Sequence, residues 1–138
     1  MDLHLQHESL SFGEGNLNNV ISFQEQKGDK KVFLLFEYED ILHGFEEVGQ
    51  SMFSLLAEFL HENKEDDYTH FEEVLKKVNK FIVRLYHENG NIKPGHFNVA
   101  ALVYNKGEVH FSVCGKAEVY LVRNRFVETI SEGLYEEN

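Results

Sequence analysis

The chain opens on loosely alternating positions. In residues 3–12, Leu3, Leu5 and Leu10 stand among polar neighbours, which predicts a first strand. A second strand follows over residues 20–26. Lys27-Gly28-Asp29 signals a turn before a third strand at 32–38. Within that strand Val32-Phe33-Leu34-Leu35-Phe36 is apolar at every position, the pattern of a central strand covered on both faces.

The period then changes from two to 3.6. Phe45, Val48, Met52, Leu55, Leu56 and Phe59 predict a helix over residues 44–62. Phe71, Val74, Leu75, Val78, Phe81, Ile82, Leu85 and Tyr86 predict a longer one over 69–88, its stripe turned onto a sheet. Glu72 and Glu73 stand four residues ahead of Lys76 and Lys77, the favourable order for intrahelical ion pairs. Residues 62–67 between the helices are a charged connection.

After Gly90 the period returns to two. Phe97, Val99, Ala101 and Val103 share one face. Asn105-Lys106-Gly107 turns the chain into Val109, Phe111 and Val113. A corner at 114–117 precedes a strand at 118–123, and Asn124-Arg125 can start another. The expected fold is α+β, in the order βββααβββ(β): a largely antiparallel sheet backed by two antiparallel helices.

Composition narrows the setting. The chain has 138 residues, the length of a single domain spanning 1–138, which a longer protein could continue. Its formal charge is −11, with no concentrated basic footprint beyond Lys76, Lys77, Lys80 and Arg84. Nucleic acid is therefore not an expected partner, because phosphate neutralisation supplies most of that affinity. No stretch approaches the ~20 apolar residues that span a bilayer, and the first residues do not resemble a signal peptide. Cys114, the sole cysteine, fits a reducing cytoplasm.

Candidate chemistry is sparse. The eight histidines show no zinc-ligand spacing. His61-Glu62-Asn63 and His87-Glu88-Asn89 are expected at helix ends, the histidine near the negative pole and the asparagine in a left-handed cap. Cys114 is expected half-buried at a strand end and not as a nucleophile. Gly13-Glu14-Gly15 precedes no strand-to-helix turn, so it is a bend and not a phosphate loop. Glu37, Glu39 and Asp40 cluster at the end of the apolar strand, and hard cations such as Mg²⁺ or Mn²⁺ take such oxygen ligands.

Three separated segments resemble, in order, the first half of the protein phosphatase 2C (PPM) family of metal-dependent phosphatases. Val78-Asn79-Lys80-Phe81-Ile82 echoes its "A-x-N-x-x-I" helix with a spacing difference of one residue. Gly95 and Val99-Ala100-Ala101-Leu102 match its "G-T-T-x-x-A-A-L" strand. Gly115-Lys116-Ala117-Glu118-Val119-Tyr120-Leu121 stands where the family has "G-D-S-R-x-Y-L". Asn18-Asn19-Val20-Ile21-Ser22-Phe23 is similar to "N-N-E-D-x-f", with both acids replaced by aliphatics. The "v-x-D-G-x-G-G" metal motif falls on Leu35 to Ile41, with Glu37 at its acid and Tyr38 at its first glycine. Glu46 to Ser51 keeps a hint of the "G-E-x-A-S" helix start.

The resemblance implies half of an α-β-β-α sandwich with degenerate metal motifs: no catalytic residue, no cofactor, and at most a residual metal site at Glu37, Glu39 and Asp40. Two-metal catalysis needs carboxylates that valine and isoleucine cannot replace. The resemblance implies a non-catalytic, protein-binding or regulatory domain. Large apolar residues on both faces of its strands call for a protein partner or a second copy on the sheet. The alternatives are a divergent Mg²⁺/Mn²⁺-dependent phosphoserine/phosphothreonine phosphatase completed by further sequence, and an unrelated helix-backed sheet such as an interaction domain. An Ntn-hydrolase-like layer is the enzymatic form of the last, and Met1-Asp2-Leu3 offers it no nucleophile.

Overall fold

The computed structural model describes residues 19–61, 66–123 and 126–130. The strand expected at 3–12 lies outside them. β1 (Asn19–Lys27) and β2 (Lys30–Tyr38) form a hairpin in which Lys27 pairs with Lys30 across a two-residue turn. α1 (Phe45–Leu56) runs into a 3₁₀ turn at Ala57–Leu60, and α2 spans Asp67–Glu88. β3 (Phe97–Asn105) and β4 (Glu108–Cys114) make a second hairpin. Its two turn residues, Lys106 and Gly107, both have positive φ (49° and 88°), the backbone of a type I′ turn.

β2 pairs with β3, giving an antiparallel sheet of order β1-β2-β3-β4. The α+β class and the helix-backed antiparallel sheet are as the sequence predicts. β5 (Tyr120–Arg123) and β6 (Phe126–Thr129) do not extend this sheet but pair with each other as a separate ribbon. The cause is the corner after Cys114, where Gly115 takes φ 71° and turns the chain off the sheet.

Burial along β2 alternates, which corrects the expectation of a strand covered on both faces. Val32, Leu34, Phe36 and Tyr38 are buried towards the helices, whereas Leu35 on the other face is 42% exposed. On the helix side Val48, Met52, Leu56, Phe59, Phe71, Val74 and Val78 join them and Phe97, Val99, Ala101 and Val103 in one core. The α2 stripe is graded. Phe71, Val74 and Val78 are buried, Phe81, Ile82 and Leu85 are half-buried, and Tyr86 is exposed. Lys30, also buried, donates from Nζ to the Phe59 carbonyl at 3.1 Å and lies over the Phe59 ring. The ammonium thereby ends the 3₁₀ turn with a charge-assisted bond.

Ion pairing on α2 departs from the expected pattern. Lys76 pairs with Glu72 at 3.3 Å, but Lys77 reaches across to Glu58 at 2.7 Å. This cross-pair and a groove shared by Ser51, Leu55, Phe81 and Arg84 lie between the two antiparallel helices. The helix ends differ as well. Asn89 is extended (φ −137°), not left-handed, and its Oδ1 accepts from the Asn91 amide at 3.1 Å. An Asx-type turn takes the place of the left-handed cap. Asn63 lies outside the described residues. Among the described residues, no helix is long and apolar enough to cross a membrane.

Asp66 caps α2. Its Oδ1 accepts from the Thr69 amide at 2.8 Å and Oδ2 from the Thr69 hydroxyl at 3.1 Å. The Thr69 amide, then its hydroxyl, hold the Asp66 carboxyl below its usual value of 3.8. A carboxylate lowered by folding contributes stability above its unfolded pKa and loses it as pH falls through the folded value. Asp66→Ala is therefore expected to lower the urea midpoint at pH 7. Asp66→Asn, which keeps a side-chain acceptor, is expected mainly to flatten the acid limb, read by urea titrations from pH 7 down to pH 3.

Candidate functional site

The polar residues of interest gather where β2 and β3 end beside the Gly115 corner. β2 exits the core at Tyr38, whose buried ring stacks edge-on against Phe97 and His96 and whose hydroxyl accepts from the Lys93 amide at 3.1 Å. The Glu39 amide donates to the His96 carbonyl at 3.0 Å, so the chain past β2 is held against the start of β3. Strand parity places Glu37 away from the helices, opposite Asn98 of β3.

Asn98 organises the cluster. It is only 5% exposed, and its Nδ2 donates to Glu37 Oε1 at 2.7 Å. Its Oδ1 accepts from the Lys116 amide at 2.7 Å. That bond needs the chain to pass very close. A Cβ on Gly115 would overlap both Asn98 Oδ1 and the Phe97 carbonyl, and its φ of 71° already lies in the left-handed region. Lys116 then reaches back, its Nζ 2.7 Å from Glu39 Oε1.

The electrostatics follow from that pair. The Lys116 ammonium, by its hydrogen bond first, holds the Glu39 carboxyl below its usual 4.5. Glu39 in turn raises Lys116 above its usual 10.5, with Glu37 adding to the field. A lowered carboxylate contributes stability above its unfolded pKa; a raised ammonium contributes it below its own. The tether is therefore complete between pH 4.5 and 10.5, and is lost in acid below the folded Glu39 value and in alkali above the folded Lys116 value. Lys116→Met is expected to raise the Glu39 carboxyl towards its usual 4.5, which a carboxyl-carbon NMR titration reads directly. An unchanged Glu39 titration would show that the pair does not form.

The residues suggested as a residual cation site are thus partly brought together. Glu37 and Glu39 share a face, but each has an oxygen engaged, by Asn98 and by Lys116 respectively. Asp40 Oδ1 accepts from the amide of its neighbour Ile41 at 2.8 Å. Among the described residues, no three His, Cys, Asp or Glu side chains group as a metal site. Mg²⁺ requires near-octahedral oxygen coordination, and an ammonium beside the carboxylates repels a second cation. Of these donors Glu39 is met by the chain's own lysine and Glu37 by Asn98.

The remaining candidates scatter. Val20 sits on the open face and Ile21 packs towards the helices. Cys114 is exposed at the end of β4, not half-buried, because it closes the last pair of the sheet opposite Val99. His70 is buried beside Phe59, and His87 lies in the last turn of α2. His61, 3.4 Å from Lys27 Nζ through Nδ1, ends the 3₁₀ turn. Asn98 is the residue that sequence reasoning passed over. Its signal was present: it is the polar exception in a parity set that continues with Ala100 and Leu102.

Comparisons with family models, with curated proteins and with solved structures find no match.

Proposed function

We propose that this chain is a non-catalytic domain resembling the phosphatase 2C fold, acting as a protein-binding or regulatory module. One observation carries the reading. Glu37, which stands at the acid of the metal motif in the resemblance, is bound by Asn98, and its neighbour Glu39 by the ammonium of Lys116. A charge-assisted hydrogen bond to an internal cation satisfies such a carboxylate without a metal. The sheet supports the second half of the reading. Val20, Leu35 and Val109 are exposed large apolar residues on the face away from the helices, and Tyr120 and Val127 are exposed on the ribbon. A protein partner or a second copy on that face would remove apolar surface from water at about 25 cal/mol per Å².

The test combines calorimetry and turnover. The chain is expected to give no saturable heat with MnCl₂ or MgCl₂ and no metal-dependent hydrolysis of p-nitrophenyl phosphate. Lys116→Asp removes the ammonium and adds a carboxylate next to Glu37 and Glu39, and is expected to gain weak Mn²⁺ binding. Turnover by the unmodified chain that disappears in Glu37→Gln would overturn the proposal. Sedimentation across a dilution series separates self-association from binding to a different protein.

A further inference from the structure

Two independent features meet at one edge of the sheet. Among the described residues β4 is an outer strand, bonded to β3 on its inner side alone. The outer side of such a strand presents a row of backbone N–H and C=O groups able to pair with added chain.

Directly beside this edge the two layers fail to close. Register puts Ala101 opposite Ser112, two small side chains where α2 passes overhead with Val78 and Ile82. The result is a cleft of about 200 Å³, walled by Leu34, Leu75, Val78, Ile82, Val99 and Ala101, with Ser112 and Cys114 on its β4 side. Drug-sized ligands occupy roughly 300–1,000 Å³, so this volume suits one or two side chains instead. Its walls are aliphatic, so those side chains are aliphatic too.

We infer that the β4 edge and the α2 cleft together receive an extended segment of a partner protein, which adds a fifth strand and inserts an aliphatic side chain beneath α2. The inference rests on reading the chain as a binding module and names the partner's chemistry. Strand addition supplies affinity through main-chain bonds and specificity through pockets for alternate side chains. Here alternate residues of the added strand enter the cleft, and those between them lie along Val109, Phe111 and Val113 on the opposite face. A second copy of β4 paired antiparallel does not fit. The side chains it would turn to the helix side are His110, Ser112 and Cys114, none of them aliphatic. The chain's formal charge of −11 favours a partner that is basic outside the inserted segment.

Cys114, the sole cysteine, lines the cleft and is exposed, so its reaction with a thiol reagent such as DTNB reports occupancy. The probe is a short peptide of alternating valine and leucine flanked by lysines. A version with prolines at adjacent positions, which removes N–H groups from both sides of the strand, is the control. The peptide is expected to slow Cys114 modification about tenfold at saturation, and the proline version to leave it unchanged. Ser112→Lys sets an ammonium against the aliphatic walls and is expected to weaken binding roughly tenfold or more. Asn79→Leu, at the exposed rim, is expected to tighten it, with circular dichroism confirming that both variants fold.

Unchanged Cys114 reactivity at saturating peptide, equal protection by the proline version, or full affinity in Ser112→Lys overturns the inference. So does protection that appears without peptide as protein concentration rises, which would make a second copy the occupant. Metal-dependent turnover would sink the non-catalytic reading while leaving Cys114 protection intact. Unprotected Cys114 in a chain without turnover removes this site alone.

Discussion

Phe36→Ala is expected to destabilise the chain by about 3–5 kcal/mol, the range for deleting a fully buried aromatic ring. Phe36 has no solvent exposure, and its ring stacks on Phe45 at 4.8 Å and on Phe97 at 5.6 Å between centroids. It therefore joins β2 to the start of α1 and to β3 at one point. Alanine removes the ring's transfer energy and leaves a cavity that three rigid elements cannot collapse into. The neighbouring Leu35→Ala supplies the contrast. Its side chain lies on the open face, so truncation is expected to cost about 1 kcal/mol or less. Paired urea titrations at pH 7, followed by far-UV circular dichroism, measure both. Equal costs at the two positions would mean that β2 is covered on both faces after all, and that the alternation described above is wrong.

The second large effect is expected at Gly115, where alanine should cost on the order of 3 kcal/mol. Two terms add. A non-glycine residue held in the left-handed region costs about 1–3 kcal/mol. The new Cβ also meets backbone, the Phe97 carbonyl, and the buried Asn98 side-chain oxygen, neither of which can swing aside like the end of a long side chain. Relief requires the corner to lift, which breaks the bond from the Lys116 amide to Asn98. The fold loss should therefore come with a local signature. The Asn98 side-chain amide resonances of Gly115→Ala are expected to move towards solvent-exposed positions, and Glu39 to titrate nearer 4.5. A variant as stable as the parent, with both signals unmoved, would show that the corner does not close on Asn98. Asn98→Ala provides a check without backbone strain: it removes the bond to Lys116, together with that to Glu37, but leaves Gly115 free to keep its conformation.

Reading particular elements along the chain shows where local pattern suffices. The stripe from Phe71 to Leu85 identified α2 because residues three and four apart share a helix face whatever lies opposite. It could not tell that burial fades from Val78 towards Tyr86, since that depends on how far the sheet extends beneath the helix. The apolar run at 32–36 identified β2 but misjudged its surroundings. A run without alternation is compatible with a strand covered on one side whose other side carries exposed aliphatics such as Leu35. Glu37, Glu39 and Asp40 were rightly singled out as a carboxylate group at the end of that strand. What they bind was not legible, because Asn98 stands 61 residues from Glu37 and Lys116 stands 77 from Glu39.

Among the described residues the sequence by itself determined the elements, their class and the two hairpins, because helix period, strand period and turn chemistry act over a few residues. Which way β4 faces was decided by the turn that the structure adopts, two residues where the sequence suggested Asn105-Lys106-Gly107. With Lys106 and Gly107 as the whole turn, Asn105 must pair with Glu108, so His110 and Ser112 fall opposite Val103 and Ala101 and share their helix-facing side. Val109, Phe111 and Val113 are thereby sent to the other side. The tertiary structure alone decided that β5 and β6 leave the sheet, that the layers gape between α2 and β4, and that Lys116 closes on Glu39. Each of these depends on distances between segments far apart in the chain. Such distances come from packing and from one left-handed glycine corner, and no local periodicity encodes them.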